Sequence, residues 1–247
     1  MRNAPLGWLF FFLFCTAAPR PATLVDVKAR AIRAGYTADL QMLADAARDA
    51  RTIAAADPKQ AALAHYWAGY AFWQRAVNEV NLKSDAALIA ADRQAALDEF
   101  EAALAARETF ADAHALVAWL HGWLWSADPA NKDAHAKQVL AHHTRARELE
   151  PDNPRVLWAY AVALQFRDKP KAMGIFDELT RRPDVHVASA EPDWGVPEAC
   201  MTLAWIDLNA GDVAKAETLA HRAAELRPGW HYVDAILMPQ IAAKKSH

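Results

Sequence analysis

The sequence is short of three things that would have opened particular functions. It has only 2 Cys, Cys15 and Cys200, in 247 residues. If Cys15 leaves with an export leader, no intramolecular disulfide can form, and stability must come from a packed core. It has no basic excess: the net charge is −3 and the pI is near 6.4, so nothing neutralises a phosphate backbone and nucleic acid is excluded as a partner. It has only 8 Gly and no phosphate-cradling glycine loop. There is also no GxSxG, no HExxH and no CxxCH. No cofactor and no metal ion is therefore expected, and an enzyme is the weakest class. Alanine, by contrast, supplies 58 residues, and hydrophobic residues make up 54%. Alanine has the best helix propensity, so the chain reads as all-α.

The amino terminus reads as an export signal over residues 1–17. Arg2 precedes the apolar run Leu6–Phe14, which is too short to span a bilayer, and small residues at Ala17-Ala18 offer a cleavage site. A lipoprotein or an anchored form is the lesser alternative, because Phe14 beside Cys15 fits a lipobox poorly. The expected location is the cell envelope, periplasmic or secreted, with membrane contact only through this segment.

Helix then follows helix, each ended by a Pro, Gly or Asp signal. Residues 18–59 are expected to hold an N-terminal capping helix (38–55), residues 60–230 the body, and 231–247 a C-terminal cap and tail. The clearest unit is Pro197–Trp230. Leu203-Ala204 sets a large residue beside a small one, Gly211-Asp212 makes a turn, Ala216, Ala220 and Ala223 line one face, and Pro228 closes it. This pattern resembles the tetratricopeptide repeat (TPR). Three weaker copies precede it, with Ala68-Gly69, Phe100, Val117-Ala118 and Phe176 at matching positions. The resemblance implies a right-handed α-solenoid of about four helix pairs between N- and C-terminal caps, and a protein- or peptide-binding scaffold rather than a catalyst.

Carrying the family's register over, the concave face holds Tyr66, Tyr70, Trp73, Trp119, Trp123, Arg155, Trp158 and Trp205, with Met201 and Phe166 beside them. These are the candidate ligand-binding residues. The spacings 66/70/73 and 119/123 each fall on one helical face. Two arrangements fit this stripe: an open groove, or burial as core or beneath a C-terminal tail folded into it. The carboxylate-clamping Lys, Asn and Arg of well-known peptide-binding TPR domains are replaced by aromatic and aliphatic residues, which suits an apolar partner. An apolar or sugar small molecule in an enclosed pocket, or a structural role through the convex face, are the alternatives. His114 and His121 on one helix, and His135, His142 and His143 on the next, lack an i,i+4 pair and read as surface or satisfied histidines. Cys200 reads as a buried structural thiol. The longest irregular stretch, Pro183–Pro197, carries His186, Glu191, Asp193 and Trp194. It reads as a connection in which Trp194 packs on the first turn of the following helix.

Overall fold

The computed structural model describes residues 22–246; the leader expected over residues 1–17 lies outside them. Among the described residues every regular element is helical, in the order α1 (Leu24–Thr37), α2 (Leu40–Ala56), α3 (Ala61–Asn81), α4 (Ala86–Ala106), α5 (Ala111–Ala127), α6 (Lys132–Leu149), α7 (Pro154–Leu164), α8 (Lys169–Arg181), α9 (Val196–Ala210), α10 (Val213–Leu226) and α11 (Met238–Lys245). A 3-10 turn precedes α6, and a π-helical stretch, Val233–Leu237, leads into α11. None of these helices is long and apolar enough to cross a membrane.

Successive helices pack as pairs: α1 with α2, α3 with α4, α5 with α6, α7 with α8, α9 with α10. The chain is thus an all-α solenoid. Its boundaries follow capping chemistry. Asp39, Asp85, Asn153, Asp168 and Asp212 each accept a backbone N–H from the first turn of the helix that follows. Pro154 and Pro197 sit in first turns, where a missing N–H costs nothing.

Small residues set the close helix approaches. Ala204, Ala216, Ala220 and Ala223 are fully buried where α9 meets α10. Between α3 and α4, a Cβ added at Gly69 would stand 2.9 Å from the Phe100 ring, so only glycine fits there.

Two elements differ from the sequence expectation. The N-terminal region holds a helix pair rather than one helix. Thr23 and Asp26 form a capping box, and Val27, Ala31 and Ala34 bury one face of α1. The C-terminal cap is broken into a π-helical turn and a short helix. Val233, Leu237 and Ile241 nevertheless bury their side chains, so the end of the solenoid is covered.

Candidate functional site

The aromatic stripe is assembled as its spacing required, but it is not an open groove. Tyr66 and Tyr70 are fully buried, and Trp73 and Trp158 nearly so. What covers them is the irregular segment 182–195, which turns inward. Its Trp194 is buried against Trp73, Trp158 and Tyr70, with ring centroids 5.4, 5.5 and 5.8 Å away. Trp194 Nε1 donates to the Tyr66 hydroxyl at 2.8 Å. The expectation that Trp194 merely packs on the next helix is corrected: it plugs the aromatic stripe. The physical reason is simple, since a cluster of rings this apolar gains more from dry packing than from water.

The plug is held by polar anchors. Lys28 of α1, itself buried, points its ammonium at the carbonyls of Val187 (2.9 Å), Ser189 (3.1 Å) and Glu191 (2.9 Å), and at Asp193 Oδ2 (2.7 Å). Three N–H bonds thus serve four acceptors. Trp67 Nε1 donates to the Ala190 carbonyl at 2.7 Å, and Val187 N–H donates to Asp193 Oδ2 at 2.9 Å. Arg227 pairs with Asp184 at the segment's start. At its end, Gly195 takes φ +125°, and its N–H donates to Glu198 Oε2 at 2.7 Å. A Cβ there would stand 3.2 Å from the Pro154 and Arg155 backbone, so this turn needs glycine twice over.

The remaining stripe residues have separate places. Arg155 pairs with buried Asp112, whose carboxyl burial pushes above the usual range, and it also donates to the Trp194 carbonyl at 3.2 Å. It is therefore a strut for the plug. Trp158 Nε1 donates to Thr202 Oγ1 at 3.1 Å. Trp119 is half-buried, its ring 5.6 Å from Trp73. Trp123, also half-buried, lies under the Arg93 guanidinium at 3.5 Å. Trp205 is 44% exposed.

Trp205 borders the opening the plug leaves. A cleft of about 210 Å³ lies between α3, α9 and the C-terminal segment, lined by Trp73, Asn78, Met201, Trp205, Trp230 and Tyr232. At its base Glu198 accepts from Tyr36 Oη at 2.5 Å, and burial raises its carboxyl above the ordinary glutamate range. Trp230 packs edge-on against Tyr36 at 4.7 Å, so the C-terminal segment walls the cleft rather than filling it. A wider depression of about 560 Å³ between α2 and α3 is lined by Arg48, Arg51 and Arg75. Those guanidinium groups are spent on Asp45, Glu99 and Asp92, leaving no free cationic site.

Cys200 is buried and free, and burial pushes its thiol up to about 11, which makes it unreactive. Among the described residues no group of three or more His, Cys, Asp or Glu side chains is arranged to hold a metal ion. Sequence reasoning did miss one arrangement: His114 and His121 of α5 face His142 and His135 of α6, in two pairs. The seven-residue spacing on each of two antiparallel helices was the available signal, because it places both histidines of a helix on one face.

No family model and no curated protein matches the sequence. Among solved structures, the chain is similar to a thermophilic TPR protein of Thermus thermophilus, over 89% of this chain and 100% of that one, with a TM-score of 0.53 and 16% identity. The fold is TPR-like. At that identity the likeness concerns fold alone. The TPR-like fold accounts for the helix pairs, and the segment 182–195 is laid across the aromatic stripe.

Proposed function

We propose that the protein is a non-catalytic binding scaffold of the cell envelope that holds a protein or peptide partner by an apolar side chain. TPR-like folds serve generally in protein interaction, and the apolar run Leu6–Phe14 supports export. The observation that carries the reading is the half-exposed Trp205 at the mouth of an aromatic cleft of about 210 Å³. That volume takes one large side chain, and Trp and Tyr are the residues that most often anchor such contacts. Trp205 and Trp73 then touch the partner. Tyr66, Tyr70, Trp119, Trp123, Arg155 and Trp158 shape and stiffen the wall behind them. The same volume also suits a small apolar or sugar ligand, which is the second reading.

The test is photo-crosslinking from position 201, which lines the same cleft, in native envelopes, with the parent protein and Trp205→Ala as competitors. A peptide-bearing partner captured at 201 and lost on competition with folded parent protein, but not with Trp205→Ala, supports the scaffold. A small-molecule adduct in place of a protein band moves the function to the carrier reading. No adduct of either kind rejects the cleft.

A further inference from the structure

The α5–α6 interface brings imidazoles of the two helices face to face. Of the 18 residues of α6 only His143 and Ala146 are fully buried. The residues it presents to α5 include His135 and His142, which meet His121 and His114. His114 Nδ1 and His142 Nδ1 are 2.8 Å apart, and His121 Nδ1 and His135 Nδ1 are 3.0 Å apart. The pairs are adjacent, since the His121 and His142 ring centroids lie 6.5 Å apart.

The outer nitrogens fix which atoms face inward as lone pairs. His114 Nε2 is 2.8 Å from the carbonyl oxygen of Glu108. A carbonyl only accepts, so Nε2 carries the proton and a neutral His114 presents Nδ1 as a bare lone pair. His135 Nε2 lies on the Asp128 side, 3.7 Å from its carboxylate. An outer N–H turned toward a carbonyl or carboxylate is the way metal-ligating histidines are oriented. Spacing agrees. Two imidazole nitrogens about 2.0–2.1 Å from one dication stand about 2.9 Å apart at a right angle and about 3.3 Å at the tetrahedral angle. Burial, with the neighbouring imidazoles, holds His142 down at about 4, and burial lowers His114 and His121 as well, so these rings stay neutral and able to ligate in mild acid.

We propose that the α5–α6 seam is a transition-metal site in which the His114–His142 pair and the His121–His135 pair each ligate one imidazole-seeking dication, Cu²⁺ most tightly, through paired Nδ1 atoms. Each pair gives two ligands and water completes the sphere, in keeping with the half-exposed positions of His135 and His142. On binding, the proton held between the two Nδ1 atoms of a pair moves to the outer Nε2 of the donor ring, so both rings ligate as neutral imidazoles and no net proton is released. Cu²⁺ leads because divalent affinity for such nitrogen sites follows the Irving–Williams order.

The test is titration of the chelator-treated full chain with CuSO₄ and ZnCl₂, read by calorimetry and by tryptophan emission, since Trp119, Trp123 and Trp125 share α5 with two of the ligands. Two equivalents of Cu²⁺ are expected, with quenching reversed by EDTA, weaker binding of Zn²⁺, and loss of binding in acid as the rings protonate. His114→Ala with His142→Ala should remove one equivalent, and His121→Ala with His135→Ala the other. An unchanged stoichiometry in the fourfold variant would overturn the site and assign the metal to surface histidines such as His65, His221 or His231. So would the absence of binding by the parent chain at 100-fold excess metal. Should the fourfold variant fail to fold, the parent chain decides: Cu²⁺ electron paramagnetic resonance showing two equatorial imidazole nitrogens per ion supports the pairs, and a spectrum with one nitrogen or none overturns them.

Discussion

The plugged aromatic stripe and the α5–α6 seam solve the same problem with opposite chemistry. Both fill the space between helices with flat rings. In the stripe the rings are Trp and Tyr, packed at 5.4–5.8 Å around Trp194. The segment that carries Trp194 is tied down by charged and polar anchors from Lys28, Trp67 and Arg155. In the seam the rings are histidines, bonded only to one another or to single oxygens, and His143 has neither nitrogen satisfied. The rings of the first arrangement do not change charge across the physiological range, because indole does not titrate and burial moves Tyr66 and Tyr70 further above their ordinary values. The second depends on imidazoles remaining neutral. One solenoid therefore carries a rigid half and a conditional half.

Removing the ring at the centre of the rigid half should have the largest effect. Trp194→Ala is expected to cost about 3–5 kcal/mol, the usual penalty for emptying a large buried aromatic site. It should also open the cluster, so that chemical denaturation and tryptophan-quenching experiments both register the change. A stability loss below about 1 kcal/mol would mean the segment lies on the groove without bracing it.

Lys28→Met should come next, at about 3–4 kcal/mol, since it leaves the buried Asp193 carboxylate and three partly buried carbonyls without their cation. Hydrogen exchange should show protection lost in 184–193 first. If α1 loses protection while that segment does not, Lys28 holds the helix and not the plug.

Acid should act on the conditional half. Burial, the largest cause, holds His143 at about 4 in the fold against 6.5 when free. The unfolded chain therefore binds the extra proton between those values, and stability falls as pH drops from about 6.5 towards 4, then levels. For this nearly buried ring the loss is on the order of 3 kcal/mol, and the neighbouring pairs add to it. Exchange measurements at pH 7 and pH 4.5 should show α6 opening while the segment around Trp194 stays protected. Uniform loss across both regions would dissolve the distinction.

The half-exposed rings should give the smallest effects. Arg93→Ala removes the cation above Trp123 and should cost about 1 kcal/mol. Trp205→Ala should change stability by less than about 0.5 kcal/mol while abolishing partner capture, which urea titration and crosslinking measure separately.

Much of this architecture is legible in the residues alone. The helix bodies follow from Ala content and from Asp, Asn and Pro caps. The small face of α10 follows from Ala216, Ala220 and Ala223. The α1 capping box is equally legible in Thr23 and Asp26, yet the expectation for residues 18–59 is a single capping helix, so half of a helix pair goes unread. For the stripe, the residues and their common face are readable, but not their fate. Tyr66 and Trp194 are 128 residues apart, and no local signal says that one covers the other. The histidine pairs hide in the same way, because ligand spacing is a local test and these contacts join two helices running in opposite directions.

The sequence by itself thus determined the helices from α2 to α10, the pairing of α3 to α10 and the aromatic character of one face, because propensity, capping and periodicity act within a few turns. Only the tertiary structure decided that the face is a wall and not a groove. Exposure belongs to whatever lies on top of a side chain, and here that cover comes from a distant segment anchored by Lys28, Trp67, Arg155 and Arg227.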